Sequence, residues 1–302
     1  MSKVSFQGQT VHELRDGNSQ VLMAPQFGAR LLKWTVGKRE IIFWPENADW
    51  SSRDSIAHTR GGNPILFPFL GRHYVNGELG KWRDESGGVR DLPMHGFARV
   101  LPFQEIESDA RHLRMRLETS EQTRTMYPFE FRFDVVYRLT GSTLEAIFET
   151  SNLGSTPLPY YAGHHFYFAI AHAARADWQI ELPCKTWGRQ NADGSPRLFP
   201  AQNNATTLAD SDLIDRFHLD FYQPGVTLQN ATKNEKIILD WPQEYSRLWH
   251  DVTTWTGAPD ADYYCVEPWL GLPDAIHHGH GLRHVAPNAT EASRCRIRAE
   301  TL

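Results

Sequence analysis

Between Phe129 and Leu139 every odd position is apolar: Phe129, Phe131, Phe133, Val135, Tyr137 and Leu139. Successive side chains of a strand point to opposite faces, so this period of two predicts one buried face and one mostly solvated face. Leu113-Arg114-Met115-Arg116-Leu117 and Cys295-Arg296-Ile297-Arg298-Ala299 alternate in the same way, and Leu144-Glu145-Ala146-Ile147-Phe148 does so less cleanly. Shorter stretches at 21–23, 31–36, 41–44, 236–239, 247–249 and 263–266 read as further strands. Asp16-Gly17-Asn18, Asn76-Gly77, Ser86-Gly87-Gly88, Thr140-Gly141-Ser142 and Ala192-Asp193-Gly194 supply turns. No long amphipathic helix stands out, and a short one is expected near 208–214. Many short strands joined by turns predict an all-β chain, a large antiparallel sandwich or barrel. No linker, internal repeat or low-complexity tract divides it, so residues 1–302 are expected to form one domain.

Composition narrows the function classes. The net charge of −5 gives no bulk attraction to nucleic acid or to an acidic membrane. No stretch resembles a membrane span. Cys184, Cys265 and Cys295 are an odd, widely spaced set that forms neither a disulfide framework nor a zinc ribbon, and a cytoplasmic location is expected. The 10 Trp, 10 Tyr and 16 Phe suit strand cores and also stacking on sugar faces.

Four stretches combine titratable groups with Gly, Pro and aromatics. Arg60-Gly61-Gly62-Asn63-Pro64 and Pro93-Met94-His95-Gly96-Phe97-Ala98-Arg99 offer Arg60, His95 and Arg99, as pocket groups or as structural ion pairs and a turn cap. In Tyr160-Tyr161-Ala162-Gly163-His164-His165-Phe166-Tyr167-Phe168, strand geometry puts His165 and Tyr167 on one face and His164 on the other. Tyr263-Tyr264-Cys265-Val266-Glu267-Pro268-Trp269 ends an apolar strand in a carboxylate, with Pro268 expected to force an exit. Asp215 lies in a turn-like segment, either holding a ligand or simply solvated. His277, His278, His280 and His284 are clustered, but without metalloprotease spacing or a cysteine pair, so a solvated loop is expected and no metal. On the excursion 46–88, Arg72, Lys81 and Arg83 are candidates to meet a phosphate, or solvated charges opposite Asp84 and Glu85.

Taken in order, RGGNPILFP at Arg60 to Pro68, PMHGFAR at Pro93 to Arg99, HFYF at His165 to Phe168 and CVEPW at Cys265 to Trp269 resemble the aldose 1-epimerase (galactose mutarotase-like) family, including its hexose-6-phosphate mutarotase branch. Phe27-Gly28-Ala29-Arg30-Leu31-Leu32-Lys33-Trp34 is similar to that family's opening segment. The resemblance implies a β-supersandwich and an isomerase that interconverts anomers of a hexose without a cofactor or metal. It makes Glu267 the general base and His165 the general acid. Arg60 and His95 become sugar-binding residues with Tyr167; Asp215 matches more loosely, and Arg99 belongs to the same motif as His95. A small-molecule sugar is the implied partner, a free aldose before a hexose 6-phosphate. Two rivals remain: a non-catalytic carbohydrate-binding protein on the same scaffold, and a glycoside hydrolase using Asp215 and Glu267.

Overall fold

In a computed structural model, which describes residues 2–245 and 247–301, the chain is almost entirely antiparallel β. Two large sheets dominate. The first has thirteen strands and begins with the meander Ser2–Phe6, Gln9–Asp16, Ser19–Ala24, Arg30–Val36 and Arg39–Ile42. It continues through Phe166–Phe168, Tyr264–Trp269, Asp251–Trp255, Arg216–Phe221, Cys184–Gln190 and Pro196–Pro200, and the short pieces Gly163–His164 and Ile65–Leu66 attach at its centre. The second has nine strands, with Phe131–Thr140, Thr143–Asn152 and Thr290–Thr301 in its middle.

The alternation in the sequence decides which faces meet. Leu113, Met115 and Leu117 are buried, as are Phe131, Phe133, Val135, Tyr137 and Leu139, and all join a core cluster fed by both sheets. Phe67, from the Arg60–Pro68 stretch, stacks on Phe133 with ring centroids 4.1 Å apart. The opposite face of Phe131–Thr140 departs from expectation at Asp134, which is buried. Its two oxygens accept from Arg114 Nη1 at 2.7 Å and from Arg116 Nε at 2.7 Å, and Arg114 also reaches Glu149. The long arginine side chains cover a paired carboxylate that period-two logic assigns to water.

Three local expectations change. Residues 247–249 form no strand: a turn follows the short helix Gln243–Tyr245, and the Trp249 indole is buried, donating to Arg294 O at 2.8 Å. Within Arg247-Leu248-Trp249 the buried indole is the anchor, and the next strand is Asp251–Trp255. Pro268 does not end its strand, which runs on through Trp269. On one side the ladder has no pair between Val266 and Trp269, and on the other Pro268 lies opposite Val252. The helix near 208–214 shrinks to the single turn Ser211–Leu213. Among the described residues no helix is long and apolar enough to cross a membrane.

Buried neutral histidines couple this fold to pH. Burial pushes His218 down to about 3, and its Nε2 lies 3.0 Å from Thr254 Oγ1. Burial likewise brings His250 down to about 4. Both are depressed below the unfolded value of 6.5, so the unfolded chain gains protons below that pH that the folded chain refuses. Their contribution is complete above pH 6.5 and is lost on acidification towards the folded values. Each costs about 2 kcal/mol by about pH 5. Urea unfolding at about pH 7 and pH 5 is expected to show this loss, and His218→Gln to flatten the slope between the two.

Candidate functional site

The site is built where the first sheet is interrupted. Gly163–His164 and Phe166–Phe168 are separate short strands, and His165 occupies the break between them. Alternation then sorts the two histidines. His164 is fully buried towards the second sheet and stacks on Phe148 at 4.0 Å. His165 points the other way, stacked on Tyr167 at 4.8 Å.

Asn63 locks this arrangement. Its Nδ2 donates to Tyr137 Oη at 2.7 Å and lies 2.9 Å from His164 Nδ1, while its Oδ1 accepts the backbone N–H of His165 at 2.7 Å. The preceding Gly62 has a φ of 69°, and a Cβ there would lie 2.1 Å from Leu31 O, so only glycine fits. Gly96, after His95, is similar: its φ is 72°, and a Cβ would lie 2.1 Å from Phe67 O. His95 itself has a φ of 68°; its N–H donates to Gly71 O at 2.9 Å and its Nδ1 accepts from Gly71 N at 3.1 Å. That acceptor role leaves the His95 proton on Nε2.

Glu267 sits on Tyr264–Trp269 with Thr253 directly opposite on the next strand. It is 1% exposed, and its Oε2 lies 3.4 Å from His165 Nε2. Burial raises the Glu267 carboxyl well above the usual range, and Asp215 and Asp251 add to this. Burial lowers His165 to about 3, with the Arg30 and Arg99 charges acting in the same direction. Desolvation therefore dominates both groups, and the pair holds a single proton in the unliganded cleft.

Arg60, His95, Arg99, His165, Tyr167, Asp215 and Glu267 all border one cleft of about 360 Å³. This is within the size range of small-molecule sites. Asp215 stands exposed at the rim with a φ of 55°, just before Arg216–Phe221. Arg60 is exposed too; its Nη1 donates to Gly257 O at 3.2 Å and its guanidinium lies 5.5 Å from the Trp255 ring centre. Arg99 is half-buried with its Nε unbonded.

Of the three phosphate candidates only Arg72 reaches the cleft. Lys81 pairs with Asp91, and Arg83 donates to Gly87 O within its own hairpin. The histidine-rich segment is not simply a loop, since Ala275–His278 forms a short helix. His277 pairs with Asp274 at 2.7 Å and accepts from Arg83 N, and His278 Nε2 lies 2.9 Å from Pro273 O. These ring nitrogens are held by protein groups. Sequence reasoning missed Asn63 as an organiser and Phe217, Thr253, Trp255 and Trp269 as cleft walls. Asn63 carried a signal in its Gly-Gly-Asn-Pro setting and Trp269 closes the CVEPW motif; Phe217, Thr253 and Trp255 become visible only through cross-strand register.

The aldose 1-epimerase family model matches residues 10–298. The chain belongs to the aldose 1-epimerase family. Over 153 residues it is 28% identical to an Escherichia coli protein named "Putative glucose-6-phosphate 1-epimerase", a match spanning 49% of this chain and 45% of that relative. The fold is shared with the Slr1438 protein of Synechocystis, at a TM-score of 0.83 and 24% identity over 100% of both chains. A galactose mutarotase related enzyme from Lactobacillus acidophilus superposes at a TM-score of 0.78 and 21% identity, over 96% of this chain and 97% of that one. The expected all-β, mutarotase-like sandwich is thus the observed fold.

Proposed function

We propose that this member of the aldose 1-epimerase family interconverts the α and β anomers of a hexose by acid–base ring opening and closure. The observation that carries the reading is the 3.4 Å separation of His165 Nε2 and Glu267 Oε2 on the cleft wall. The two oxygens that exchange protons in mutarotation are bonded to the same carbon, so acid and base must be neighbours. In the form of the pair whose single proton sits on His165, Glu267 takes the proton of the anomeric hydroxyl while His165 protonates the ring oxygen. The C1–O5 bond breaks, the open-chain aldehyde turns about C1–C2, and closure returns both protons. The pair carries one proton throughout, so this cycle calls for neither metal nor nucleotide. Asp215, His95, Arg60, Arg99 and Tyr167 bind the sugar hydroxyls in this reading. One core cluster shared by both sheets supports a single unit over residues 1–302.

Polarimetry of freshly dissolved α-glucose and α-galactose tests the activity. Wild type is expected to speed the approach to equilibrium, and no acceleration with any free or phosphorylated aldose sinks the reading. Turnover that depends on Glu267 excludes the binding-protein alternative. Absence of reducing-sugar release from oligosaccharides excludes the hydrolase.

A hexose 6-phosphate is the second reading. Arg60, Arg72 and Arg99 all border the cleft, and among the described residues none forms an ion pair with a carboxylate. The name of the E. coli relative favours the same substrate. If it is correct, Arg60→Gln raises KM for the 6-phosphate by roughly 10–100-fold, as loss of a charge-assisted hydrogen bond requires, and changes KM for the free sugar much less. Equal effects on both substrates would count against phosphate recognition.

A further inference from the structure

The proposed acid and base have a third neighbour that the mutarotase cycle does not use. His165, Tyr167, Cys265 and Glu267 project from one face of two adjacent strands, with Tyr167 and Cys265 paired across the ladder. One ligand atom each from His165, Cys265 and Glu267 falls within 4.8 Å of the other two, and all three residues are buried. Glu267 Oε2 and His165 Nδ1 lack hydrogen bonds. We infer that His165, Cys265 and Glu267 form an inhibitory site for a borderline-soft divalent cation of the zinc type.

The donor set selects the ion. One imidazole nitrogen, one thiolate and one carboxylate match zinc, whereas magnesium and calcium demand oxygen ligands. Ligand atoms around tetrahedral zinc stand about 3.5 Å apart, given metal–ligand bonds of about 2.0–2.3 Å. Small side-chain rotations bring a 4.8 Å trio to that spacing. The charges also close: a thiolate and a carboxylate neutralise the cation, so the complex is neutral in a buried place. That neutrality matters beside Arg30 and Arg99, whose charges reach His165 and oppose any uncompensated cation.

Entry is through the cleft, which His165 and Glu267 border, with Cys265 behind them. On binding, the S–H bond of Cys265 gives way to a metal–sulfur bond, and both the thiol proton and the single proton of the His165–Glu267 pair leave to solvent, so two protons are released per ion. A water or a sugar hydroxyl completes the four ligands. The bound ion occupies the lone pairs that acid–base exchange needs, so the metal-loaded protein is inactive. This consequence rests on the proposed mutarotase function; the site itself does not.

The test is a titration of the 302-residue chain with Cd²⁺, followed by thiolate-to-metal charge-transfer absorption, alongside Zn²⁺ inhibition of mutarotation. Wild type is expected to show one saturating band and inhibition that chelator reverses. In Cys265→Ser the band disappears, and inhibition relative to that variant's own metal-free rate weakens at least about tenfold. Cys265→Ala serves as a second variant if serine lowers stability. Absence of a band overturns the site, as does a band that persists in both variants and so belongs to Cys184 or Cys295. Inhibition of equal strength in wild type and variant overturns it too. A Cys265-dependent band in a protein without mutarotase activity upholds the site and removes only the proposed function.

Discussion

Glu267→Gln is expected to lower kcat for anomer interconversion by about 10²–10⁴-fold, the usual worth of a positioned acid–base group. The amide has nearly the same shape as the carboxyl, so the cleft stays filled, but it cannot accept the anomeric proton. KM is expected to change little, because Arg60, His95 and Asp215 still border the cleft. Stability is expected to stay level or rise. Burial raises the Glu267 carboxyl well above its ordinary range, so ionising it inside the fold is costly, and a neutral amide removes that cost. A lowered kcat with undiminished unfolding free energy separates a lost base from a damaged fold. Retained turnover in a folded Glu267→Gln protein contradicts the assignment.

Asn63→Ala carries the second large effect. The side chain holds Tyr137, His164 and the backbone of His165 at once, inside a region that excludes water. Truncation leaves buried polar groups without partners, at about 1–3 kcal/mol for each group stranded, so a total loss of about 3–5 kcal/mol is expected. The activity effect comes from His165, whose backbone loses its anchor at the break in the sheet. Loss of alignment with Glu267 lowers kcat at least about tenfold, since acid–base catalysis depends on hydrogen-bond reach. Urea unfolding and steady-state kinetics on the same preparation check both parts. A loss below about 1 kcal/mol shows that these bonds do not do what their geometry implies.

The contrast between Glu267 and Asn63 shows what kind of information the sequence carries. Alternation in 129–139 assigned Phe131, Phe133 and Tyr137 to the buried face because burial of a strand face is a local pattern. The opposite orientations of His164 and His165 follow from the same rule. Six of the residues bordering the cleft lie in four short motifs whose order resembles a family, Asp215 lies outside them, and all seven border one cleft. Partners across the ladder were not legible. Thr253 stands opposite Glu267 through register, which spacing in the chain does not encode. Asp134 was assigned to solvent because its cover, Arg114 and Arg116, comes from a neighbouring strand. Residues 247–249, Arg-Leu-Trp, read as a strand although their apolar part is an anchor with a buried indole, and Pro268 reads as an exit although its strand runs on to Trp269. Arg72, Lys81 and Arg83 are close in sequence, yet a hairpin turns the last two away.

The central claim is that His165 and Glu267 exchange protons with the oxygens of one anomeric carbon. Proton exchange spectroscopy on an equilibrated aldose in D₂O, repeated for the 6-phosphate, measures this directly because no net conversion is needed. The account predicts faster exchange between the α and β H1 signals with wild type, none above background with Glu267→Gln, and no deuterium incorporated at carbon. Wild-type protein that leaves anomer exchange at the uncatalysed rate across the panel would contradict it. So would deuterium at C2, which would reveal proton abstraction from carbon in place of ring opening.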